Sequence, residues 1–316
     1  IADDWGHGHA GAYGCRWVNT PAFDRVATEG VLFTHAFTSN PKCSPCRASI
    51  LTGRNSWQTE EACCHFGVFP NKWAVFPDVL EKAGYHVGHT GKGWGPGDWK
   101  AGGFARNPAG PVYNEHKLKP PTNGTSANDY ARNFAAFLAA RKPGQPFSFW
   151  YGCQEPHRDY EVWSGVRGGK DPKAVTVPAF LPDTAAVRSD YLDYAVEVEW
   201  FDAHLGKMLA ALEAAGELDD TLVVVTSDHG EPFPRVKGQV YDRGFRLPLA
   251  VRWGRGVTKP GRTVADFVNV RDFMPTFLEA AGVPVPETVT GRGFLDVLKA
   301  DKDGPVDPAR TRTLVG

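Results

Sequence analysis

The chain has 316 residues, enough for one large α/β domain with a sizeable core, or for such a domain with a small appendage. It carries 35 basic and 36 acidic residues, and the net charge of −1 excludes a global field that would attract nucleic acid or an anionic membrane. No apolar run is long enough to span a bilayer. Any specificity for anions must therefore be local.

The chain opens on a short apolar stub followed by two adjacent carboxylates, Asp3 and Asp4. This pattern is typical of the carboxyl end of a strand whose start is missing, and residues 312–316 similarly indicate the opening of a strand. We therefore expect a sequence trimmed at both ends. Adjacent carboxylates at such a sheet edge repel each other unless a cation neutralises them, so the pair indicates a metal site. Many such pairs elsewhere are solvated turns.

The pattern of residues 20–30 predicts a short capped helix and that of residues 31–37 a strand. The run that follows, residues 43–54, reads Cys-Ser-Pro-Cys-Arg-Ala-Ser-Ile-Leu-Thr-Gly-Arg. It predicts a loop that delivers Cys43 to a helix N-terminus, where free N–H groups and the helix dipole favour an anion. Arg47 adds a guanidinium group that is always positively charged and donates several hydrogen bonds, so we expect a site for a tetrahedral oxyanion. A buried or disulfide-bonded cysteine would explain Cys43 but not its neighbours.

This run resembles the C-x-P-x-R signature of the sulfatase family, continued by that family's Leu-Thr-Gly-Arg, and the opening resembles its D-D-x-G. The resemblance implies that Cys43 is oxidised to formylglycine, whose hydrated aldehyde is the nucleophile, by a formylglycine-generating enzyme. It also implies that Asp3, Asp4 and residue 43 belong to a metal site. The position between Pro45 and Arg47, often serine in relatives, is Cys46, a second thiol that could compete for oxidation or pair with another cysteine.

Residues 60–67 show no clear periodicity. We expect Cys63 and Cys64 to be small buried apolar side chains. His65 either lines the site or caps a helix, and the sequence leaves both readings open.

The pattern of residues 76–83 predicts a helix, and that of residues 85–90 a strand that ends in Gly-Lys-Gly-Trp-Gly. A lysine among glycines at a strand end can approach a ligand closely, although most such lysines are simply exposed. In sulfatases this loop reads G-K-x-H, so the resemblance makes Lys92 a sulfate ligand. Trp94 stands where the family has histidine, which leaves one acid/base position unfilled.

The pattern of residues 127–141 predicts an amphipathic helix, and that of residues 146–153 predicts a buried strand. Residues 155–158, shortly after this strand, read Glu-Pro-His-Arg. This resembles the D-P-H-R of the sulfamidases, which hydrolyse N-sulfated glucosamine. By that resemblance His157 contacts the sulfate or protonates the leaving group, a role for which its near-neutral pKa suits it. Taken alone, His157 reads as a loop histidine hydrogen-bonded to the backbone.

A long helix is predicted over 185–215, with Thr184 as its N-cap. The segment that precedes it, residues 177–184, resembles sulfamidases and reads Val-Pro-Ala-Phe-Leu-Pro-Asp-Thr. Residues 222–226 then predict a fully buried, parallel strand that ends at Asp228 and His229. With the first two carboxylates, these complete a cation site of three carboxylates and one imidazole. Sulfatases often have asparagine in place of His229, which suits Ca²⁺, whereas an imidazole shifts the preference toward Mn²⁺ or Zn²⁺ without excluding Ca²⁺.

Lys237 begins a run that resembles the sulfatase K-x-x-x-[FY]-E approach to a strand, and the resemblance makes it the second sulfate-binding lysine. Residues 268–282 match a structural helix of the family. We expect a catalytic α/β domain over 1–290, with a large, mostly parallel or mixed sheet and helices on both faces, as in alkaline phosphatase. Residues 291–316 then begin a small C-terminal subdomain that is largely missing.

The sequence therefore predicts hydrolysis of a sulfate ester or sulfamate on a sulfated saccharide, with Ca²⁺ as the expected metal. Two alternatives stay open: a phosphonate monoester or phosphodiester hydrolase, in which an Asp-His pair also occurs, and a non-catalytic binder of sulfated glycans. The resemblance further implies a periplasmic, secreted or lysosome-like location, although the chain shows no signal peptide.

Overall fold

The computed structural model describes all residues 1–316, which form layers of helices on both faces of a mixed sheet. The strands are β1 (Val31–Phe37), β2 (His86–Gly91), β3 (Phe147–Gly152), β4 (Val223–Thr226), β5 (Arg246–Arg252), β6 (Arg262–Val264) and β7 (Val268–Asn269). The α-helices are α1 (Pro21–Thr28), α2 (Cys43–Thr52), α3 (Phe76–Lys82), α4 (Tyr130–Ala139), α5 (Ser164–Arg167), α6 (Ala185–Ala214), α7 (Asp242–Phe245), α8 (Phe273–Ala280) and α9 (Leu295–Lys299).

The larger sheet has the strand order β4-β5-β1-β6, with β7 also pairing with β1. Strand β5 is antiparallel to both of its neighbours, whereas β6 and β7 are parallel to β1. The prediction of a fully buried strand over 222–226 was therefore wrong, and its predicted parallel direction holds only toward the chain start, where Ala2 forms a parallel bridge with Ser227. The link from β4 to β5 contains only the one-turn helix α7 and no crossover helix of the kind that joins parallel strands, and half of β4 is only partly buried.

Strands β2 and β3 form a separate parallel pair. The first residues of the chain lie between this pair and the larger sheet: the Ile1 amine donates to Tyr151 O at 2.7 Å, and the Ala2 N–H donates to Thr226 O at 2.9 Å. The bridging residues place the two carboxylates that follow at the carboxyl ends of both strands.

Two apolar cores lie on opposite faces of the larger sheet, as alternation along β1 shows. Leu32 faces a core built with α1, α4 and α6, whereas Val31 and Phe33 face one built with α2, α3, α8 and α9. The expected α/β class with helices on both faces is thus confirmed. No helix is long and apolar enough to cross a membrane.

Two local predictions were wrong. Cys63 is only partly buried and Cys64 is exposed, because they lie at the end of a short 3-10 turn (Glu60–Cys63) at the surface. Residues 312–316 form no strand. The division at residue 290 stays a prediction; residues 291–316 contain α9 and contact the main sheet through a parallel bridge between Val264 and Gly304.

Candidate active site

Helix α2 holds Cys43 as its first residue, and all of its residues are buried. The Oγ of Ser44 lies 2.8 Å from the His65 carbonyl and 2.7 Å from the Gly95 carbonyl, so it fastens the start of the helix to two neighbouring loops. Gly53, with φ +64°, ends the helix. The nucleophile expected from the sequence is therefore fixed at a buried helix N-terminus.

Four buried side chains place ligand atoms within 4.8 Å of one another: Asp3, Asp4, Cys43 and His229. The Nε2 of His229 lies 3.0 Å from Asp4 Oδ1 and 3.3 Å from Cys43 Sγ. The Oδ1 atom of Asp3 is buried and has no hydrogen-bond partner, although buried carboxylate oxygens are nearly always paired. A divalent cation would satisfy that oxygen, and the donor set of oxygen, nitrogen and sulfur fits such an ion.

Asp228 lies beside this group and its carboxylate is already well supplied with donors. Its Oδ2 accepts from Arg47 Nε at 3.1 Å, and its Oδ1 accepts from the backbone N–H groups of Asp4 and His229 at 3.1 and 3.0 Å. In this structure Asp228 thus serves as the buried counter-ion of Arg47. Its expected role as a metal ligand stays a prediction, since each carboxylate oxygen has a second lone pair.

The three expected cationic residues converge on the same carboxylates. The Nζ of Lys92 forms an ion pair with Asp3, and the Nζ of Lys237 lies 2.7 Å from Asp4 Oδ2. Arg47 is fully buried, and its Nη1 donates to the Lys92 carbonyl at 2.7 Å. Both lysines are partly exposed, so part of each charged side chain reaches solvent. Their expected role as sulfate ligands stays a prediction.

The titration properties of the group follow from its burial and dense charge. Burial, together with the neighbouring Asp228, raises the pKa of Asp3 to about 6. Burial alone would lower the pKa of His229, but the carboxylates of Asp228 and Asp4 outweigh it and raise that pKa well above its usual value. Without a metal His229 therefore carries a proton, and a metal bound there would have to displace it.

A cleft of about 430 Å³ opens beside Cys43. Its lining consists of Cys43, Ser44, His65, Phe66, Gly67, Lys92, Trp94, Gly95, Gly97 and Asp98. The indole N–H of Trp94 donates to Gly97 O at 2.8 Å, and its ring packs edge-on against Phe69. Because an indole nitrogen cannot accept a proton, Trp94 supplies no base at this position.

The sequence left open whether His65 lines the site or caps a helix. In the structure it lines this cleft. Partial burial lowers its pKa, and the nearby charges of Lys42 and Lys92 lower it further, so the ring is neutral at pH 7. His157 is exposed at the loop after β3, and its Nδ1 contacts the carbonyl of Arg158. It lies outside the four-residue donor group, and its role stays a prediction.

Three side chains of this region were missed in the sequence: Lys42, Ser44 and Phe66. No motif marks them, because their importance depends on which loops the fold brings to the start of α2. Lys42 and Ser44 are the sequence neighbours of Cys43, and this adjacency was the one feature of the sequence that could have indicated that they belong to the site. Phe66 is 95% exposed at the cleft, which is unusual for a large apolar side chain.

The architecture and the charged centre at the strand ends define an alkaline-phosphatase-like fold. A protein solved in complex with its substrate D-glucosamine-2-N,6-O-disulfate superposes with a TM-score of 0.77 at 22% identity, covering 98% of this chain and 81% of that one. The phosphonate monoester hydrolase of Agrobacterium radiobacter superposes with a TM-score of 0.74 at 19% identity, covering 94% and 75%. At these identities the likeness shows the fold alone.

The family follows from sequence comparison. The model of the family described as Sulfatase matches residues 1–283. Human N-sulphoglucosamine sulphohydrolase is 31% identical over 337 residues, covering 95% of this chain and 65% of the human protein. An ulvan-active sulfatase of Formosa agariphila is 28% identical, covering 95% of this chain and 56% of its own length. The chain therefore belongs to the sulfatase family, as its motifs indicated, and spans roughly three fifths of the length of these relatives.

Proposed function

We propose that this protein hydrolyses a sulfate ester or sulfamate on a sulfated saccharide resembling N-sulfoglucosamine. One observation carries the proposal: a buried helix starts at Cys43, directly against a group of Asp3, Asp4 and His229 whose ligand atoms lie within 4.8 Å of its sulfur. The names of two relatives, N-sulphoglucosamine sulphohydrolase and N-acetylglucosamine-6-O-sulfatase, support glucosamine sulfates as the substrate class.

The roles of the side chains follow from their positions. Formylglycine at residue 43, once formed by a generating enzyme, supplies the nucleophilic hydroxyl, and a bound divalent cation supplies Lewis-acid polarisation of the sulfate oxygens. Lys92, which lines the cleft, and Lys237, which pairs with Asp4 beside Cys43, neutralise the negative charge that develops on those oxygens. Arg47 donates hydrogen bonds to the Asp228 carboxylate and to the Lys92 carbonyl, and these bonds hold both groups in place. These cations are fixed before substrate arrives, so little reorganisation is needed during reaction.

Proton transfer needs an acid for the leaving group and a base near residue 43. His157, which is exposed and close enough for its charge to act on His65 of the cleft, is the proposed acid for the departing amine or alcohol. His65 lines the cleft as a neutral imidazole and is the proposed base, because Trp94 cannot accept a proton. The proposed metal is Ca²⁺, with Mn²⁺ or Zn²⁺ as alternatives that His229 favours. The proposed location is periplasmic, secreted or lysosome-like, where such saccharides occur.

A second candidate function is hydrolysis of a phosphonate monoester or phosphodiester. The observation that favours it is His229, whose Nε2 lies 3.0 Å from Asp4 and gives the cation site a nitrogen ligand. Nitrogen ligands suit Mn²⁺ and Zn²⁺ better than Ca²⁺. The two candidate functions act on different central atoms, sulfur in one case and phosphorus in the other. A single comparison of the two kinds of substrate therefore separates them.

The test is a comparison of substrates on protein coexpressed with a formylglycine-generating enzyme. We expect sulfate release from N-sulfoglucosamine to exceed phosphonate ester hydrolysis, to stop when a chelator removes the metal, and to fall to background in the matched variant Cys43→Ala. Faster hydrolysis of the phosphonate would favour the second candidate. If protein with a verified aldehyde at residue 43 cleaves neither substrate, the chain is a non-catalytic binder of sulfated glycans instead.

A further inference from the structure

Lys42 is a cation without a partner beside the candidate nucleophile. It is the N-cap residue of α2, immediately before Cys43, and its side chain is exposed. Lys92 and Lys237 each form an ion pair with a carboxylate of the site, but Lys42 forms none. Its charge acts on His65, which lines the cleft. The positive charge of Lys42 therefore lies near the cleft and has no carboxylate partner.

The charge balance of the site does not require Lys42. Three buried carboxylates, Asp3, Asp4 and Asp228, already face three paired cations: Lys92, Lys237 and Arg47 respectively. In the metal-free protein the protonated His229 adds a further positive charge, so Lys42 is in excess of what the fold needs. A lysine at a helix N-terminus is also electrostatically unfavourable, because it adds positive charge to the positive end of the helix dipole.

The Lys42 side chain lies against the backbone of Gly238. Its stem passes over Gly238, where a Cβ atom would lie 2.8 Å from Lys42 Cε. Gly238 has φ +71°, and its N–H donates to the Pro41 carbonyl at 2.9 Å, so the segment that contains Gly238 is tied to the start of α2. A glycine is therefore the residue that leaves room for the Lys42 stem at this point.

We propose that Lys42 binds a second anionic group, a sulfate or a carboxylate, on the saccharide whose first sulfate lies at residue 43. This inference rests on the proposed function, since it takes the position of the first sulfate from it. Lys42 selects saccharides with two or more negative charges over monosulfated ones. The exposed ring of Phe66, next to His65, offers an apolar surface for the sugar between the two anionic groups.

The test measures binding rather than turnover, on protein in which Cys43 remains a thiol. Isothermal titration calorimetry compares glucosamine N-sulfate with glucosamine N,6-disulfate and with an N-sulfoglucosamine–uronic acid disaccharide, at one ionic strength. We expect wild type to bind at least one doubly charged saccharide about 10-fold more tightly than the monosulfate. Whether the disulfate or the disaccharide gains the affinity identifies the second group as sulfate or carboxylate.

The variant Lys42→Gln is expected to reduce this preference to less than about 2-fold, while its Kd for the monosulfate stays within about 2-fold of wild type. The matched control is Lys207→Gln, an exposed lysine on α6 that also forms no ion pair, and it should keep the full preference. We expect the melting temperature of Lys42→Gln to equal or exceed that of wild type, because an unfavourable charge is removed from the start of α2.

Equal weakening of all three saccharides in Lys42→Gln would show that Lys42 serves the first sulfate, and would overturn the inference. Absence of any preference in wild type, or of any binding, would overturn it as well. The proposed function is judged separately by sulfate release from the converted enzyme. Hydrolysis without a charge preference contradicts only the inference, and a charge preference without hydrolysis contradicts only the proposed function.

Discussion

Arg47 shows how strongly a single residue can determine the charge balance of this site. Its guanidinium is fully buried, donates to Asp228 at 3.1 Å, and lies 3.6 Å from Asp3. Removing it would leave the buried carboxylate of Asp228 without its guanidinium partner, supported only by two backbone N–H groups and the neighbouring His229. We expect Arg47→Leu to lower the free energy of unfolding by roughly 3 to 5 kcal/mol, measured by urea unfolding of the metal-free protein.

The matched test is the double variant Arg47→Leu/Asp228→Asn. Since the second substitution removes the orphaned charge, it should recover part of the stability that the first one lost. If the two substitutions instead destabilise additively, the ion pair between Arg47 and Asp228 is not the source of the loss.

At the residue scale, the sequence motifs predicted which side chains meet, whereas their catalytic and metal-binding roles stay predictions. Of the residues predicted to share one site, His157 lies outside the buried cluster, and the others lie together: Asp3, Asp4, Cys43, Arg47, Lys92, Asp228, His229 and Lys237. The hydrogen-bond partners of each side chain could not be predicted, because they depend on contacts between distant segments. Asp228, for example, is held by Arg47 and by two backbone N–H groups, and no local pattern encodes those bonds.

At the scale of elements, α6 is the clearest case of local control. The helix was predicted over 185–215 and runs from Ala185 to Ala214, and the predicted N-cap Thr184 accepts a hydrogen bond from the Val187 N–H at 3.3 Å. We expect Thr184→Ala to lower the free energy of unfolding by about 1 kcal/mol in denaturant melts, because it leaves a helix N–H without its acceptor.

The control for the cap is Thr184→Ser, which keeps the hydroxyl and should retain most of the stability. The side chain is exposed, so loss of packing contributes little. A serine variant as unstable as the alanine variant would contradict the capping role.

Strand direction was harder to predict than helix position. The apolar run 222–226 correctly indicated a strand, but its antiparallel pairing with β5 depends on the path of the intervening loop. That path carries Asp228, His229 and Lys237 instead of a crossover helix. The pairing of β4 is thus a property of the whole fold and not of its own residues.

At the scale of the whole molecule, a buried carboxyl group links stability to pH. Glu197 on α6 accepts from the hydroxyls of Thr122 and Thr125 at 3.2 and 3.1 Å, and its Oε2 is buried without a partner. Burial, with the nearby charge of Glu155, raises the pKa of Glu197 from 4.5 to about 8. The folded protein therefore keeps this group protonated over a range in which the unfolded chain has already released the proton.

The sign of the effect follows from this difference. As pH rises from 4.5 to 8, the unfolded chain binds fewer protons than the folded one, so Glu197 makes the protein less stable, by up to roughly 5 kcal/mol in all. We expect Glu197→Gln to melt at a higher temperature than wild type at pH 9, with a smaller gain at pH 5. Melting curves recorded from pH 5 to pH 9 check this. A gain that does not depend on pH would contradict the buried-carboxyl explanation.

Strand order was the least predictable feature of the sheet. A large, mostly parallel or mixed sheet was expected and a mixed sheet is observed, but the order β4-β5-β1-β6 and the separate pairing of β2 with β3 could not be predicted. Apolar patterning predicts that each strand is buried but does not specify its neighbours, because many pairings bury the same residues.

The central claim is that residue 43 becomes the catalytic aldehyde of a sulfatase. Its most direct test is peptide mass spectrometry of the segment that contains Cys43, on protein coexpressed with a formylglycine-generating enzyme, with Cys43→Ala as the blank. We predict conversion of the thiol to the aldehyde at residue 43 and none at Cys46, the thiol three residues on. An unmodified thiol at Cys43, while the same generating enzyme converts a control substrate, would contradict the formylglycine mechanism and leave a binder of sulfated glycans as the better account.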